Sequence, residues 1–255
     1  MSTNAILKFQ NNIFLHFPAL ESTNIYALNL ISKSNPTEGT AISTYNQLKG
    51  RGQIGSKWES QPNKNISLSI ILYPTFLKAK DGFQLNQAIS LAVYEFIRIF
   101  IPFGVKIKWP NDIYINKLKV AGLLIQNSIQ GQHLQSSVVG IGININQENF
   151  SKALPNPTSL INETKNTFDL DKLSAQLFEL VERNYFLLKS GNLKIIQKKY
   201  LNALYRLNLK TQFTKDDGHS FEGIIRSTTA DGKIRIENES GQIQSFNLKE
   251  IIYNK

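Results

Sequence analysis

The string Gly50-Arg51-Gly52-Gln53-Ile54-Gly55 has the spacing G-x-G-x-x-G, which in a dinucleotide fold brings backbone N–H groups to a pyrophosphate. Its surroundings do not fit that fold. The residues that follow, Ser56-Lys57-Trp58-Glu59-Ser60-Gln61-Pro62-Asn63, make a poor helix start. Neither Glu59 nor Asp81 falls about 20 residues beyond the motif, where a ribose-binding carboxylate belongs. The residues predict instead a flexible loop whose N–H groups can approach a phosphate, with Arg51 and Lys57 adding charge. A plain surface turn is the competing reading. Three glycines, two cations and a tryptophan within Gly50–Trp58 make it the poorer one.

A second cluster runs Lys108-Trp109-Pro110-Asn111-Asp112-Ile113-Tyr114-Ile115-Asn116-Lys117-Leu118-Lys119-Val120-Ala121-Gly122. It reads as a hairpin turning at Asn116-Lys117, since asparagine tolerates the positive φ of such turns. Residue 115 then faces 118, 114 faces 119 and 113 faces 120. Alternation puts Ile113, Ile115, Leu118 and Val120 towards the core. Asp112, Tyr114 and Lys119 share the other face, with Asp112 and Lys119 on a diagonal of ~7–8 Å. A carboxylate and an ammonium beside the buried edge of Trp109 could handle a charged substrate; an ordinary surface ion pair is the alternative. A third cluster, Val138-Val139-Gly140-Ile141-Gly142-Ile143-Asn144-Ile145-Asn146, reads as a buried strand. Its glycines leave room for a flat ligand on the sheet, with Asn144 able to donate and accept, although bulges use glycine too.

These clusters need elements to hold them. Phe9–Phe17, Thr40–Tyr45, Ile66–Tyr73, Val105–Trp109, Ile113–Ile115, Leu118–Ile129 and Leu134–Ile145 are predicted as strands. Ser22-Thr23-Asn24 offers N-cap chemistry to a short helix over Ile25–Ile31. Leu85, Ile89, Ala92, Val93, Phe96 and Phe100 fall at helical steps, predicting a helix over Phe83–Phe100 that ends at Pro102 and Gly104. Leu173–Leu188 and Leu193–Leu204 are further helices. Beyond Tyr205 the texture changes to short strands at 207–214, 220–227, 233–238 and 242–247. They are separated by Asp217-Gly218, Asp231-Gly232 and Ser240-Gly241, with Phe221, Ile224, Ile234, Ile236, Ile243 and Phe246 as core. That spacing predicts a small β-barrel, so the chain divides into 1–205 and 206–255.

Composition bounds the chemistry. The 255 residues are 41% hydrophobic and 19% charged with mean hydropathy −0.23, as in a soluble globular protein. No cysteine is present, which excludes a disulfide scaffold, a thiol nucleophile and thiolate metal sites. His16, His133 and His219 are too scattered to suggest a histidine metal site. There is no signal-like apolar segment and no run of 18 apolar residues, so a cytoplasmic protein without a membrane span is expected. The formal charge is +10, pointing to an anionic partner. Arg183–Lys215 holds eight Lys/Arg and no Asp/Glu; it is either a solvated helix face or a surface for an acidic protein.

The three clusters, in this order and with Ser22-Thr23-Asn24 before them and Pro157-Thr158-Ser159-Leu160 after, closely resemble the biotin protein ligases, the ligases of biotin carboxyl carrier domains. The resemblance covers essentially the whole chain. It implies an α+β fold, a mixed sheet flanked by helices akin to class II aminoacyl-tRNA synthetase and biotin–lipoyl ligase catalytic domains, followed by an SH3-like β-barrel. It implies two half-reactions: the biotin carboxylate attacks the α-phosphate of MgATP, and the resulting biotinyl-5′-AMP is attacked by a lysine of a carrier domain of a biotin-dependent carboxylase. Ser22, Thr23, Asn24 and Gln47 would surround biotin, and Arg51, Gly52 and Gln53 would close over biotin and adenylate. Trp58 and Asn144 would lie near the adenine, Asn111 and Asp112 beside the nucleotide, and Gly122 and Gly140 on the floor. Lys119 corresponds to the essential lysine and acts with Arg51. A fixed cation there stabilises charge building on phosphoryl oxygens. The resemblance assigns no Mg²⁺ ligand and leaves monomer and homodimer open.

Two departures stand out. Gln53 replaces an arginine found in some members, and an amide cannot hold a charged intermediate as firmly. Only 21 residues precede Ser22, fewer than the roughly 40 of an unaided module, so the DNA-binding domain of some relatives, and DNA as a partner, are not expected. Two other functions compete: a lipoate or octanoate–protein ligase using the same chemistry, and a basic nucleic-acid-binding protein using the barrel. The barrel lacks an Arg/aromatic stacking string, and the GRG…W and KWPND strings look like the biotin branch.

Overall fold

Branched residues in short runs and apolar residues at helical steps divide this chain into strands and helices. A computed structural model describes residues 8–9, 13–53 and 55–254. The first part contains β1 (Phe14–Phe17), α1 (Thr23–Lys33), β2 (Ala41–Thr44), β3 (Ile66–Leu72) and, after a 3₁₀ turn at Ala79–Asp81, α2 (Phe83–Phe100). β4 (Val105–Lys108), β5 (Asp112–Ile115), β6 (Leu118–Gln130) and β7 (His133–Ile143) follow, then α3 (Leu160–Thr164), α4 (Leu170–Lys189) and α5 (Leu193–Ala203). The last part is all strand: β8 (Lys210–Lys215), β9 (Ser220–Thr228), β10 (Ile234–Asn238), β11 (Ile243–Phe246) and β12 (Ile251–Tyr253).

Seven strands form a mixed sheet in the order β1-β2-β3-β7-β6-β5-β4. β1 runs parallel to β2, and the other neighbours are antiparallel. Adjacent residues serve opposite faces, as the pleat requires. Ile71 and Val138 pack with Ala27 of α1, while Ile70 and Val139 join Leu85, Ile89, Val93 and Phe96 of α2 in the main core. Helices thus flank the sheet on both sides, the α+β arrangement expected. The predicted strand over Phe9–Phe17 is shorter here. β1 starts at Phe14, Phe9 is buried among the rings of Phe178, Tyr185 and Phe186, and residues 10–12 lie outside the described ones.

The C-terminal strands form a five-stranded antiparallel sheet, β11-β10-β9-β8-β12, consistent with an SH3-like unit. Its buried residues are Phe213, Ile225, Ile234, Ile236, Phe246 and Ile251. Two core expectations change. A bulge between β9 and β10 sets Ile225, not Ile224, against Ile236, and Ile243 is 47% exposed. β12 was not expected at all. The chain leading into the unit is held by the Tyr205 N–H donating to the Ile107 carbonyl at 2.8 Å, and the unit itself is tied to the larger part by Gln87 Nε2 donating to Thr228 Oγ1 at 3.2 Å.

Half of the eight cations in the Arg183–Lys215 stretch are ion-paired within the fold. Arg183 and Lys199 reach Glu95 at 2.6 and 3.3 Å, Lys189 reaches Glu38 at 2.8 Å, and Lys210 reaches Glu222 at 2.9 Å. That favours the solvated-face reading. No helix among the described residues is long and apolar enough to cross a membrane.

Candidate active site

A cleft of about 340 Å³ opens over the sheet where the first turn of α1, the 47–58 loop, the β4–β5 turn, β6 and β7 meet the C-terminal segment 248–253. Ser22, Thr23, Asn24, Gln47, Arg51, Gly52, Gln53, Trp58, Asn111, Asp112, Lys119, Gly122 and Gly140 all line it. Residues from six stretches of sequence therefore converge on one volume. Asn144 does not. It is buried behind β6, its Nδ2 donating to the Thr158 carbonyl at 2.9 Å and its backbone N–H to the Val120 carbonyl at 2.9 Å.

Part of the cleft is a neutral polar network. Ser22 is the N-cap residue of α1, but no side chain caps that helix as predicted. Thr23 and Asn24 are turned into the cleft instead. The Thr23 N–H and hydroxyl donate to Gln47 Oε1 at 2.9 and 3.2 Å. Ser69 Oγ lies 2.7 Å from Thr23 Oγ1 and 2.6 Å from Asn24 Oδ1. Asn24 Nδ2 donates to the Leu124 carbonyl at 3.1 Å and to Gln126 Oε1 at 3.0 Å. Such a satisfied, buried set holds donors and acceptors in fixed directions. Ser69 and Gln126 escaped the sequence reading, because a lone polar residue in a strand carries no pattern of its own.

The glycines of β6 and β7 set the depth of the floor. Ser69 pairs with Gly140 across β3 and β7, and a Cβ at Gly140 would run into the Asn24 amide. A Cβ at Gly142 would come within 2.5 Å of the Trp58 indole, and one at Gly122 within 3.3 Å of both Trp58 and Lys119 Cε. The room predicted over these glycines is thus filled by Asn24 and Trp58. The indole Nε1 of Trp58 is buried without a hydrogen-bond partner, as is Gln53 Oε1.

The Gly-rich loop is more closed than a flexible phosphate cradle. The Gly52 N–H donates to the Ser56 carbonyl at 2.9 Å, Ser56 to Gln53 at 3.0 Å and Trp58 to Gly50 at 3.1 Å. Those three N–H groups are used within the loop. What it brings to the cleft is charge and the indole. Among the described residues Arg51, Lys57, Lys108 and Lys119 line the cleft against one carboxylate, Asp112, a balance suited to a polyanion.

The β5–β6 hairpin turns at Asn116 with φ of +54°, as predicted, and Tyr114 faces Lys119. A bulge between Ile113 and Tyr114 then shifts the ladder, so Ile113 faces Ala121 and Asp112 faces Gly122. Leu118, expected in the core, is 38% exposed. Asn111 is pinned to β6, its Nδ2 donating to the Leu123 carbonyl at 2.7 Å. The Lys119 main chain is held on its other side by Asn156 and Thr158, at 2.7 and 2.9 Å. Tyr253, from β12, closes the cleft opposite this hairpin, and burial pushes its phenol well above the ordinary tyrosine range.

The overall arrangement, a helix-flanked mixed sheet with a small C-terminal barrel at the mouth of its cleft, defines a ligase-type fold shared with solved structures. Biotin protein ligase from Aquifex aeolicus in complex with biotin and ATP superimposes with a TM-score of 0.79 at 24% identity, over 96% of this chain and 100% of that one. Biotin acetyl coenzyme A carboxylase synthetase from Helicobacter pylori with bound biotinylated ATP gives 0.60 at 23% identity, over 92% and 100%. Residues 16–144 match the biotin/lipoate A/B protein ligase family, and the chain belongs to that family. The bifunctional ligase/repressor BirA of Bacillus subtilis is 34% identical over 134 residues, 52% of this chain and 41% of that protein. The biotin–[acetyl-CoA-carboxylase] ligase of Paracoccus denitrificans is 34% identical over 128 residues, 49% of this chain and 51% of that one. The chain thus spans about half the length, or less, of these two curated relatives.

Proposed function

We propose that this protein is an ATP-dependent biotin protein ligase, with residues 1–205 forming the catalytic domain and 206–255 the barrel. The observation that carries the reading is the Lys119–Asp112 pair, 2.7 Å apart, in a cleft that combines a neutral polar network with a surplus of cations. A small neutral head group fits the first, and a nucleotide triphosphate the second. The Paracoccus denitrificans relative, named as a biotin–[acetyl-CoA-carboxylase] ligase, supports the choice of acid.

In this reading Ser22, Thr23, Asn24 and Gln47 bind biotin, with Gly140 keeping the floor low. Arg51, Gly52 and Gln53 cover the acid and the adenylate, Trp58 offers a face to the adenine, and Asn111 and Asp112 border the nucleotide. A biotin carboxylate oxygen bonds to the α-phosphorus of ATP while the bond to pyrophosphate breaks. Lys119 and Arg51 balance the negative charge that accumulates on the phosphoryl oxygens, and positioning supplies the rest. A carrier lysine amine then bonds to the acyl carbon, AMP leaves, and the amine loses a proton.

The donor set fits a magnesium ion that keeps phosphate and water ligands. Asp112 is the carboxylate lining the cleft, and among the described residues no group of three acidic or histidine side chains forms a cage. Asp112 would hold the ion, which shields phosphate charge when bound. A cytoplasmic location, where ATP is available, fits this reading, and so does the carrier domain of a biotin-dependent carboxylase as the partner. The test is pyrophosphate release from MgATP with biotin, lipoate or octanoate. Biotin-dependent release is expected; release only with lipoate or octanoate would reassign the substrate.

A further inference from the structure

The turn that carries Asp112 is clamped from two sides. On the sheet side, Asn111 is fixed to β6 by its side chain and by the Leu123 N–H donating to its carbonyl at 2.9 Å. On the barrel side, Trp109 Nε1 donates to the Gly232 carbonyl, in the β9–β10 turn, at 2.8 Å. Lys108, one residue earlier and opposite Asp112 in the β4–β5 ladder, stands 4.9 Å from the ring centroids of both Tyr114 and Tyr253. The residues bracketing Pro110 are therefore held by different parts of the molecule. Gly232 has φ of +96°, and a Cβ there would come within 2.8 Å of the Phe83 ring. The turn can present its carbonyl to Trp109 only without a side chain.

We propose that Trp109 is a positioning residue of the adenylation step: its hydrogen bond to Gly232 lets the C-terminal barrel fix the β4–β5 turn, and through it the Asp112–Lys119 pair. This rests on the ligase reading above. The barrel is then more than a lid at the cleft mouth, since it sets the place of a carboxylate three residues from the clamp. A buried indole N–H left without an acceptor costs free energy, so losing the bond releases the turn rather than only weakening the join.

The test compares Trp109→Phe, which keeps a ring and loses the donor, with Thr228→Val, which breaks the separate Gln87–Thr228 hydrogen bond across the same join. Pyrophosphate release is measured per biotin-binding site, counted by titration, so unfolded molecules drop out. Wild type must first show biotin-dependent release; failure there sinks the ligase reading and this proposal with it, whereas the variant outcomes below bear on this proposal alone. Trp109→Phe is expected to lower kcat about tenfold with the Kd for biotin within twofold, because Thr23, Asn24 and Gln47 lie on other elements. Thr228→Val is expected to leave kcat unchanged. Gly232→Ala serves if Trp109→Phe does not fold, with the same expected loss. Unchanged kcat per site in the Trp109 or Gly232 variant, or equal loss in Thr228→Val, would overturn the assignment.

Discussion

Lys119 folds back along β6 across Gly122 to bring its Nζ within 2.7 Å of an Asp112 carboxylate oxygen. The contact exists because the ladder slips. The bulge beside Tyr114 sets Asp112 opposite Gly122 rather than opposite a residue with a side chain. A Cβ at position 122 would stand 3.3 Å from the lysine Cε and 3.4 Å from its Nζ. Both side chains keep some solvent contact, at 33% and 21% exposure, so the pair adds little to stability and is available to a ligand.

Lys119→Ala should therefore stop adenylation without unfolding the protein. Removing one such charge-stabilising group costs about a hundredfold to a thousandfold in rate. A partly exposed pair is worth about 0–1 kcal/mol, so Tm should move by no more than about 2–4 °C. Pyrophosphate release and thermal unfolding measure the two effects. Near-normal turnover would remove Lys119 from the mechanism.

Gly140→Ala and Gly142→Ala should separate the two substrates. The first drives a methyl into Asn24, the second into Trp58. Biotin affinity should fall at least tenfold in Gly140→Ala and change little in Gly142→Ala, whose KM for ATP should rise instead. Calorimetry and initial rates would read this, and the opposite pattern would reverse the placing of acid and nucleotide.

Gln53→Arg should slow escape of the adenylate. The Gln53 Oε1 is buried without a partner, and an arginine there would add a charged fork within reach of phosphate. The off-rate of biotinyl-AMP should drop several-fold. Equal rates in wild type and variant would sink the idea.

Glu95 ties α2 to α4 and α5. Burial would raise its carboxyl, but the Asn184 hydrogen bond and the charges of Arg183 and Lys199 outweigh that and hold it below the ordinary glutamate range. A folded-state pKa below the unfolded one gives stability that is present above the unfolded value and lost as pH falls through the folded one. Glu95→Gln should thus lower stability by about 1–3 kcal/mol at pH 7 and by less in acid. Denaturation curves across that range measure it; a constant difference would contradict the role.

Much of this was legible in the chain. α2 runs over Phe83–Phe100 as its apolar spacing dictates, because a helix covering a sheet must bury one stripe and expose the rest. The cleft residues were legible as strings, since glycines, a cationic loop and a hairpin with paired charges each leave a local mark. What escaped depended on non-local geometry. The bulge beside Tyr114 has no signature in a hydrophobic alternation, which on its own sets Ile113 against Val120 and Leu118 in the core. β12 escaped for two reasons: three residues show no period, and its preceding turn uses Lys249 at φ of +71° rather than a glycine. That strand brings Ile251, Ile252 and Tyr253 to the cleft. The resemblance puts Asn144 near the adenine, but its backbone N–H and Nδ2 are engaged by Val120 and Thr158 and it does not line the cleft.

The chain contains two tryptophans, and they occupy the two places that matter most. Trp58 lies in the cleft with its indole N–H unpaired and the Lys119 ammonium 5.8 Å from its ring. Trp109 sits at the join, bonded to Gly232. Intrinsic fluorescence of the unlabelled protein therefore carries two separable signals, one following ligand arrival and one following barrel seating. The difference in emission between wild type and Trp58→Phe isolates the cleft signal, and stopped-flow recording gives its time course.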